Sequence, residues 1–156
     1  MKLSRLEELP ALLKDRKVVL ANGCFDILHV GHVRYLEAAR ALGDVLVVAV
    51  NSDRSVRSIK DPGRPILDET ERVALISALR CVDHVILFDE PDVRRVIDVL
   101  KPSVHAKGTD YTEESVPERQ QVLAYGGSVR ITGDPKDHST RNIIDSIVNK
   151  QGSGNK

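Results

Sequence analysis

The run Val45-Leu46-Val47-Val48-Ala49-Val50 carries no polar residue on either face of a strand. A strand with one wet face alternates in character, so this continuous run predicts a strand covered on both sides. Val18-Val19-Leu20-Ala21 is a second such run, and Asn22-Gly23 marks the turn that ends it. Shorter strands are predicted at His84 to Phe88, Val104 to Ala106 and Val129 to Thr132. Helix patterns fall between them. One spans about 30–42 and stops at Gly43, and Asp68 with Glu71 forms a capping box for a helix at 68–79. Others are expected at 92–100, at 117–125 with Pro117 in the first turn, and at 140–148. Strands alternating with helices define an α/β chain with a parallel sheet and helices on both faces. In such sheets ligands bind beyond the carboxyl ends of the strands.

The flanks are less regular. Residues 4–15 read as an amphipathic helix capped by Ser4 and interrupted by Pro10, so residues 1–16 form an N-terminal helical segment. Residues 51–67 read as a long polar loop with Arg54, Arg57, Lys60 and Arg64. Residues 1–150 are expected to form one domain, and 151–156 a disordered polar tail.

Composition removes several classes of function. The 156 residues hold 23 basic and 23 acidic side chains, which leaves no basic footprint for duplex nucleic acid. Two Phe, three Tyr and no Trp offer little for stacking single-stranded bases. No apolar run approaches the roughly 20 residues needed to cross a bilayer, and the charged N-terminus does not resemble a signal peptide. Cys24 and Cys81, far apart in sequence, suit free thiols in a reducing compartment, so a cytoplasmic protein is expected.

Chemistry concentrates after the first strand, in Asn22-Gly23-Cys24-Phe25-Asp26-Ile27-Leu28-His29-Val30-Gly31-His32. His29 and His32 are three residues apart at the start of the expected helix, so both imidazoles project to one side. Helix N-terminal amides and the positive end of the helix dipole point the same way, forming a phosphate cradle. Gly23 and Gly31 allow close approach to the backbone. The residues alone leave three readings open: phosphoryl chemistry, a His pair capping a helix, and a zinc pair completed by Cys24 or Asp26.

GCFDILHVGH resembles the signature of the HxGH nucleotidyltransferase superfamily, in its cytidylyltransferase-like branch. The resemblance continues through VVAVNSD, ETER, AKGTDY and HSTRNII, in order, over about residues 17–148. It implies a Rossmann-like fold, with ATP as co-substrate and Mg²⁺ held mainly by the nucleotide phosphates, without a protein metal site. It implies catalytic roles for His29, His32 and Lys60. Nucleotide contacts are implied for Asn22, Gly23, Cys24, Phe25, Gly31, His32, Lys107, Gly108, Asp110, Ser139, Thr140 and Arg141. Substrate contacts are implied for Asp26, Asn51, Asp53, Lys60, Arg64 and Arg72, with Asp26 also organising the site.

Within the branch, glycerol-3-phosphate cytidylyltransferases carry an Arg where this chain has Asp134. NGCFDILH, VAVNSD, KGTDY and STRNII instead resemble the adenylyltransferase half of the bifunctional ADP-heptose synthases. That implies AMP transfer from ATP to a sugar 1-phosphate, with D-glycero-β-D-manno-heptose 1-phosphate as the sugar. A homodimer and a sugar kinase on a separate chain are expected with it. The alternatives are glycerol-3-phosphate cytidylyltransferase, another nucleotidyltransferase acting on a phosphorylated substrate, and a non-catalytic nucleotide-binding module. His138 and Arg141 depart from the family pattern near the expected phosphate site.

Overall fold

The computed structural model describes residues 1–135 and 138–154. Five parallel strands, β1 (Val18–Gly23), β2 (Val45–Asn51), β3 (His84–Phe88), β4 (Val104–Lys107) and β5 (Ser128–Ile131), form one sheet in the order β3-β2-β1-β4-β5. All seven residues of β2 are buried, as its continuous apolar run requires.

Two helices, α2 (Val30–Arg40) and α4 (Glu69–Ser77), cover one face. Leu36, Ala39, Val73 and Ile76 pack there against Val19, Ala21, Leu46 and Val48. The other face is covered by α1 (Leu9–Leu12), α5 (Arg94–Leu100) and α6 (Arg119–Ala124). Leu9, Val96, Ile97 and Val122 meet Leu20, Val47, Ala49 and Ile86 on that side. The two remaining α-helices of the described residues are α3 (Asp53–Ile59) and α7 (Thr140–Ser153). The chain reverses its direction across the sheet between β1 and β4. In open α/β sheets that reversal opens a ligand crevice at the strands' carboxyl ends.

Three local expectations are corrected. Ser4 does not cap a helix: its amide donates to Val85 O along the β3 edge, and its hydroxyl lies 2.9 Å from His84 Nδ1. Helical structure there is confined to a 3₁₀ turn at Leu6–Glu8 and the single turn of α1, which has Pro10 near its start. The polar stretch 51–67 is not all loop, because α3 occupies Asp53–Ile59. The Ser52 hydroxyl caps it by accepting from the Ser55 amide, and buried Val56 anchors it. The polar tail does not begin at 151, since α7 continues through Ser153. Residues 155–156 lie outside the described residues.

The helix α2 stops at Arg40 with Ala41 as its C-cap, short of the expected stop at Gly43, which is instead required by packing two residues further on. A Cβ there would sit 2.5 Å from Lys17 O and 2.8 Å from Val19 Cγ2. The Lys17 carbonyl is itself fixed by the Asp44 amide at 2.8 Å. Gly43→Ala should therefore destabilise the fold by about 1–3 kcal/mol through overpacking. A lower urea midpoint at unchanged m-value checks this, and an unchanged midpoint refutes it.

Candidate active site

The loop leaving β1 turns sharply so that Phe25 can bury its ring. Phe25 has a left-handed backbone (φ 49°), is 4% exposed, and meets the His32 ring edge-on at 5.3 Å. A non-glycine residue in this region is uncommon and marks a locally over-determined turn. Asp26 follows, buried. Its carboxylate accepts from Arg64 Nε (2.7 Å), the Ile66 amide (2.9 Å to Oδ2) and the Leu67 amide (2.9 Å). Burial pushes the Asp26 carboxyl up. The Leu67 and Ile66 amides and the Arg64 guanidinium outweigh it and hold the group below the usual carboxylate value.

His29 is the N-cap of α2. Its Nδ1 accepts from the Gly31 amide (3.1 Å), while His32 Nδ1 accepts from the His29 amide (3.3 Å). The two rings stack at 3.8 Å between centroids. With both Nδ1 atoms accepting, the ring proton of each neutral imidazole sits on Nε2. The arrangement that caps the helix thus also sets the orientation of both rings. Gly31 serves it directly, because a Cβ there would come within 2.9 Å of His29 Cε1.

A second helix start lies alongside. The Ser139 hydroxyl caps α7 by accepting from the Asn142 amide (3.0 Å), and Thr140 Oγ1 donates to Ile27 O (3.4 Å). Arg141 pairs with Asp61 at 3.1 Å, and His138 lies 6.4 Å from His29, ring to ring. Two helix N-termini therefore face one region, the geometry that favours anions. Beyond β4, Lys107 Nζ stands 4.6 Å over the Tyr111 ring, and burial pushes its ammonium pKa down despite Glu118 and Asp110. A Cβ added at Gly108 would meet nothing within 4 Å. Asp110 is exposed.

Arg72 is placed differently from the phosphate contact implied for it. The side chain is fully buried, and Nε donates to Leu67 O (3.0 Å). Nη1 donates to Cys24 O and Asn51 O (2.7 Å each), and Nη2 to Asp53 Oδ1 (2.8 Å). Asn51 is likewise turned inward, donating from Nδ2 to Ser55 Oγ (2.9 Å). Asp53 is half-buried against Arg72. Arg72 and Asn51 are turned into the floor of the site, whereas Asp53 pairs with Arg72 and also lines the cavity above it.

Arg57, Lys60 and Arg64 instead line a cavity of about 570 Å³ together with Asp53, Asp61 and Asp68. That volume suits a small metabolite. Cys24 borders the same region: burial raises its thiol pKa, and Lys60, Arg72 and Arg64 pull it back down. Asn22 and Gly23 complete the rim at the end of β1, with the Asn22 amide oxygen 2.9 Å from His105 Nε2. Three contributors were not singled out from the sequence. They are His105, Tyr35, whose hydroxyl donates to Ala106 O (2.6 Å), and Arg34, which pairs with Asp134 at 3.0 Å. Among the described residues no group of three or more His, Cys, Asp or Glu is placed to hold a metal ion.

The parallel sheet, the crevice at its reversal point and the paired imidazoles on a helix N-terminus define the class as a nucleotide-handling α/β domain. Residues 20–146 match the model of the cytidylyltransferase-like family, and the chain belongs to that family as a nucleotidyltransferase domain. It is 49% identical over 139 residues to the bifunctional protein HldE of Geobacter metallireducens, covering 89% of this chain and 28% of that protein. It is 46% identical over 141 residues to HldE of Syntrophotalea carbinolica, covering 90% of this chain and 29% of that one. The chain thus spans under a third of the length of these relatives. Among solved structures it is similar to a lipopolysaccharide core biosynthesis protein from Thermoplasma volcanium. That match has 38% identity and a TM-score of 0.63, over 74% of this chain and 93% of the other. Pantothenate synthetase from Thermus thermophilus shares the fold, with 20% identity and a TM-score of 0.65 over 92% of this chain and 67% of that one.

Two variants test the loop hubs. Asp26 has a folded pKa below its unfolded one, so its stabilisation is complete above the unfolded value and lost as pH falls through the folded value. Asp26→Asn should be less stable than wild type at pH 7, with the two curves converging in acid. Parallel curves would remove this role. Arg72→Met leaves Asp53 and three carbonyls without their donor, and should cost about 3–5 kcal/mol in denaturant unfolding. A loss below about 1 kcal/mol would contradict the assignment of Arg72 to the floor of the site.

Proposed function

We propose that this chain transfers AMP from ATP to a sugar 1-phosphate, releasing pyrophosphate and forming an ADP-sugar. D-glycero-β-D-manno-heptose 1-phosphate is the sugar we favour. The observation that carries the reading is the stacked His29–His32 pair, whose Nδ1 atoms are committed to the backbone so that Nε2–H is the donor. A binding module needs anion contacts. A pair of oriented imidazole donors suits a phosphorus centre on which charge develops. Similarity to the HldE proteins and to the lipopolysaccharide core protein adds support for the sugar phosphate.

In this reading an oxygen of the sugar phosphate attacks the α-phosphorus of ATP, and pyrophosphate leaves from the opposite side. A phosphate nucleophile is already ionised near neutral pH, so no general base is required. Catalysis then consists of orientation and charge stabilisation. His29 and His32 donate to the α-phosphate oxygens. Lys60 and Arg64, in the cavity beside α3, receive the sugar phosphate. The N-terminus of α7, with Ser139, Thr140 and Arg141, takes the leaving phosphates, and Lys107 and Gly108 line the nucleoside side. Mg²⁺, held through nucleotide phosphates and water, would neutralise charge on the departing group. The donor set fits that arrangement, since Asp26 and Asp53 are occupied by Arg64 and Arg72.

The reading also includes a homodimer, a cytoplasmic location and a sugar kinase activity that supplies the 1-phosphate. The dimer has one support on the surface: α7 buries none of its residues, and Ile147 and Val148 remain 53% and 61% exposed. No helix among the described residues is long and apolar enough to cross a membrane.

Two measurements test the reaction. The first is a pyrophosphate-release assay of ATP and CTP with heptose 1-phosphate at fixed Mg²⁺. ATP should be favoured at least tenfold in kcat/KM, about 1.4 kcal/mol. Where the cytidylyltransferases carry an Arg this chain has Asp134, already neutralised by Arg34. Preferential use of CTP would overturn the adenylyl assignment. The second is His32→Ala, which should lower kcat about 10²–10³-fold with a smaller change in the KM for ATP. Because His32 also accepts from the His29 amide, melting of the variant separates lost capping from lost catalysis. Turnover near wild type would dismiss the His pair as transition-state donors.

A further inference from the structure

β4 buries one side chain that the proposed reaction does not use. His105 is completely inaccessible to solvent, in the middle of a four-residue strand, and pairs in register with Leu20 of β1. Asn22 lies one pleat further toward the carboxyl end of β1, on the same face of the sheet. Its Oδ1 is 2.9 Å from His105 Nε2, whereas His105 Nδ1 has no partner. Burial, with Lys107 nearby, pushes the His105 pKa down to about 3, so the ring is neutral and carries a single N–H.

That single proton has two places to sit. On Nδ1 it would leave a buried donor unpaired. On Nε2 the orphan is only a lone pair, and orphaned buried N–H groups are the rarer and costlier case. His105 therefore donates from Nε2 to Asn22 Oδ1. The polarity of the carboxamide follows at once. Asn22 is half-exposed at the end of β1, beside the sheet's reversal point, so with its oxygen engaged by His105 its NH₂ is the end of the carboxamide left for the rim.

We propose that His105 is a positioning residue that locks the Asn22 carboxamide so that its NH₂, and not its oxygen, faces the crevice and donates to an acceptor oxygen of the bound nucleotide. The assignment rests on reading the crevice as a nucleotide site. An unrestrained Asn would present either end, and the wrong end would oppose an anionic ligand with a carbonyl dipole. A buried His in the sheet selects one orientation without itself touching ligand.

The test is a calorimetric titration of Mg·ATP into wild type, His105→Phe, His105→Gln, Asn22→Ala and the Asn22→Ala/His105→Phe double variant, with a melting curve for each. His105→Phe keeps the ring volume and removes the donor, so ATP affinity should fall on the order of tenfold, the value of one hydrogen bond. Glutamine can donate from nearly the same reach and should recover most of that loss. In the Asn22→Ala background, His105→Phe should cost no further affinity, because both changes act through one carboxamide. Unchanged affinity in His105→Phe, or additive losses in the double variant, would overturn the assignment and leave the nucleotide site intact. Failure of the wild type to bind Mg·ATP overturns the nucleotide reading and this assignment with it. A ¹⁵N-histidine spectrum of the wild-type chain requires no variant. A neutral ring protonated on Nε2 supports the lock, and protonation on Nδ1 refutes it even where His105→Phe does not fold.

Discussion

A buried guanidinium joins what the sheet alone leaves separate. Strands β1 and β2 end side by side, but hydrogen bonding within the sheet stops there and says nothing about the loops beyond. Arg72, on α4, reaches back under both. It donates to the backbone after β1 at Cys24, to the end of β2 at Asn51, to the start of α3 at Asp53 and to Leu67 just before its own helix. A charge so completely withdrawn from water is tolerated only when its donors are nearly all satisfied. The planar fork of arginine supplies several donors in fixed directions, which the point charge of a lysine does not. Asp26 is the complementary hub, collecting Arg64 and the amides of Ile66 and Leu67. The two hubs meet at Leu67, whose amide serves one and whose carbonyl serves the other. The loops after β1 and β2 and the approach to α4 are consequently held as one body. The proposed chemistry, orientation and charge stabilisation, needs that rigidity.

The His pair shows why structural and chemical explanations of one motif need not compete. An imidazole has two nitrogens. At the start of α2 one nitrogen of each ring satisfies a helix amide that has no intrahelical partner. The other nitrogen is thereby fixed as the donor, and the ring plane is fixed with it. The stack of the two rings and the edge contact of Phe25 on His32 remove the remaining rotational freedom. Gly31 is required in this arrangement by the His29 ring lying against it, a constraint independent of any ligand.

Much of the site was legible because its residue types are rare and clustered in short segments. The segment 22–32 and the Ser139–Thr140 cap lie where the strand and helix pattern puts them, at the carboxyl end of β1 and the start of α7. Arg72 was legible as important but not in its role, since a lone arginine on an amphipathic helix looks the same whether it faces solvent or the sheet edge. Only the packing of α4 against β2 and β3 turns it inward. The helix α3 is hard to read from sequence because Arg54 and Arg57, with Lys60 at its C-cap, give the stretch the look of a charged loop. Its actual signals were the Ser52 cap, Asp53 in the first turn and a single buried apolar residue, Val56.

The sequence by itself determined the order and kind of the elements from β1 onward, α3 excepted. Periodicity of two or of 3.6 and turn residues at the boundaries are local properties, and a fully apolar run such as β2 admits a covered strand and little else. It also placed the candidate phosphate-binding groups at strand ends. Tertiary structure alone decided which polar groups stay at the crevice and which face one another. Asn51, Asp53 and Arg72 were indistinguishable from ligand contacts until pairs 21 and 19 residues apart closed on themselves. His105 and Asn22, 83 residues apart, meet only because β4 pairs with β1 in one register. The physical reason is that a hydrogen bond depends on distance and direction in space. Chain separation carries no information about either until the sheet has set them.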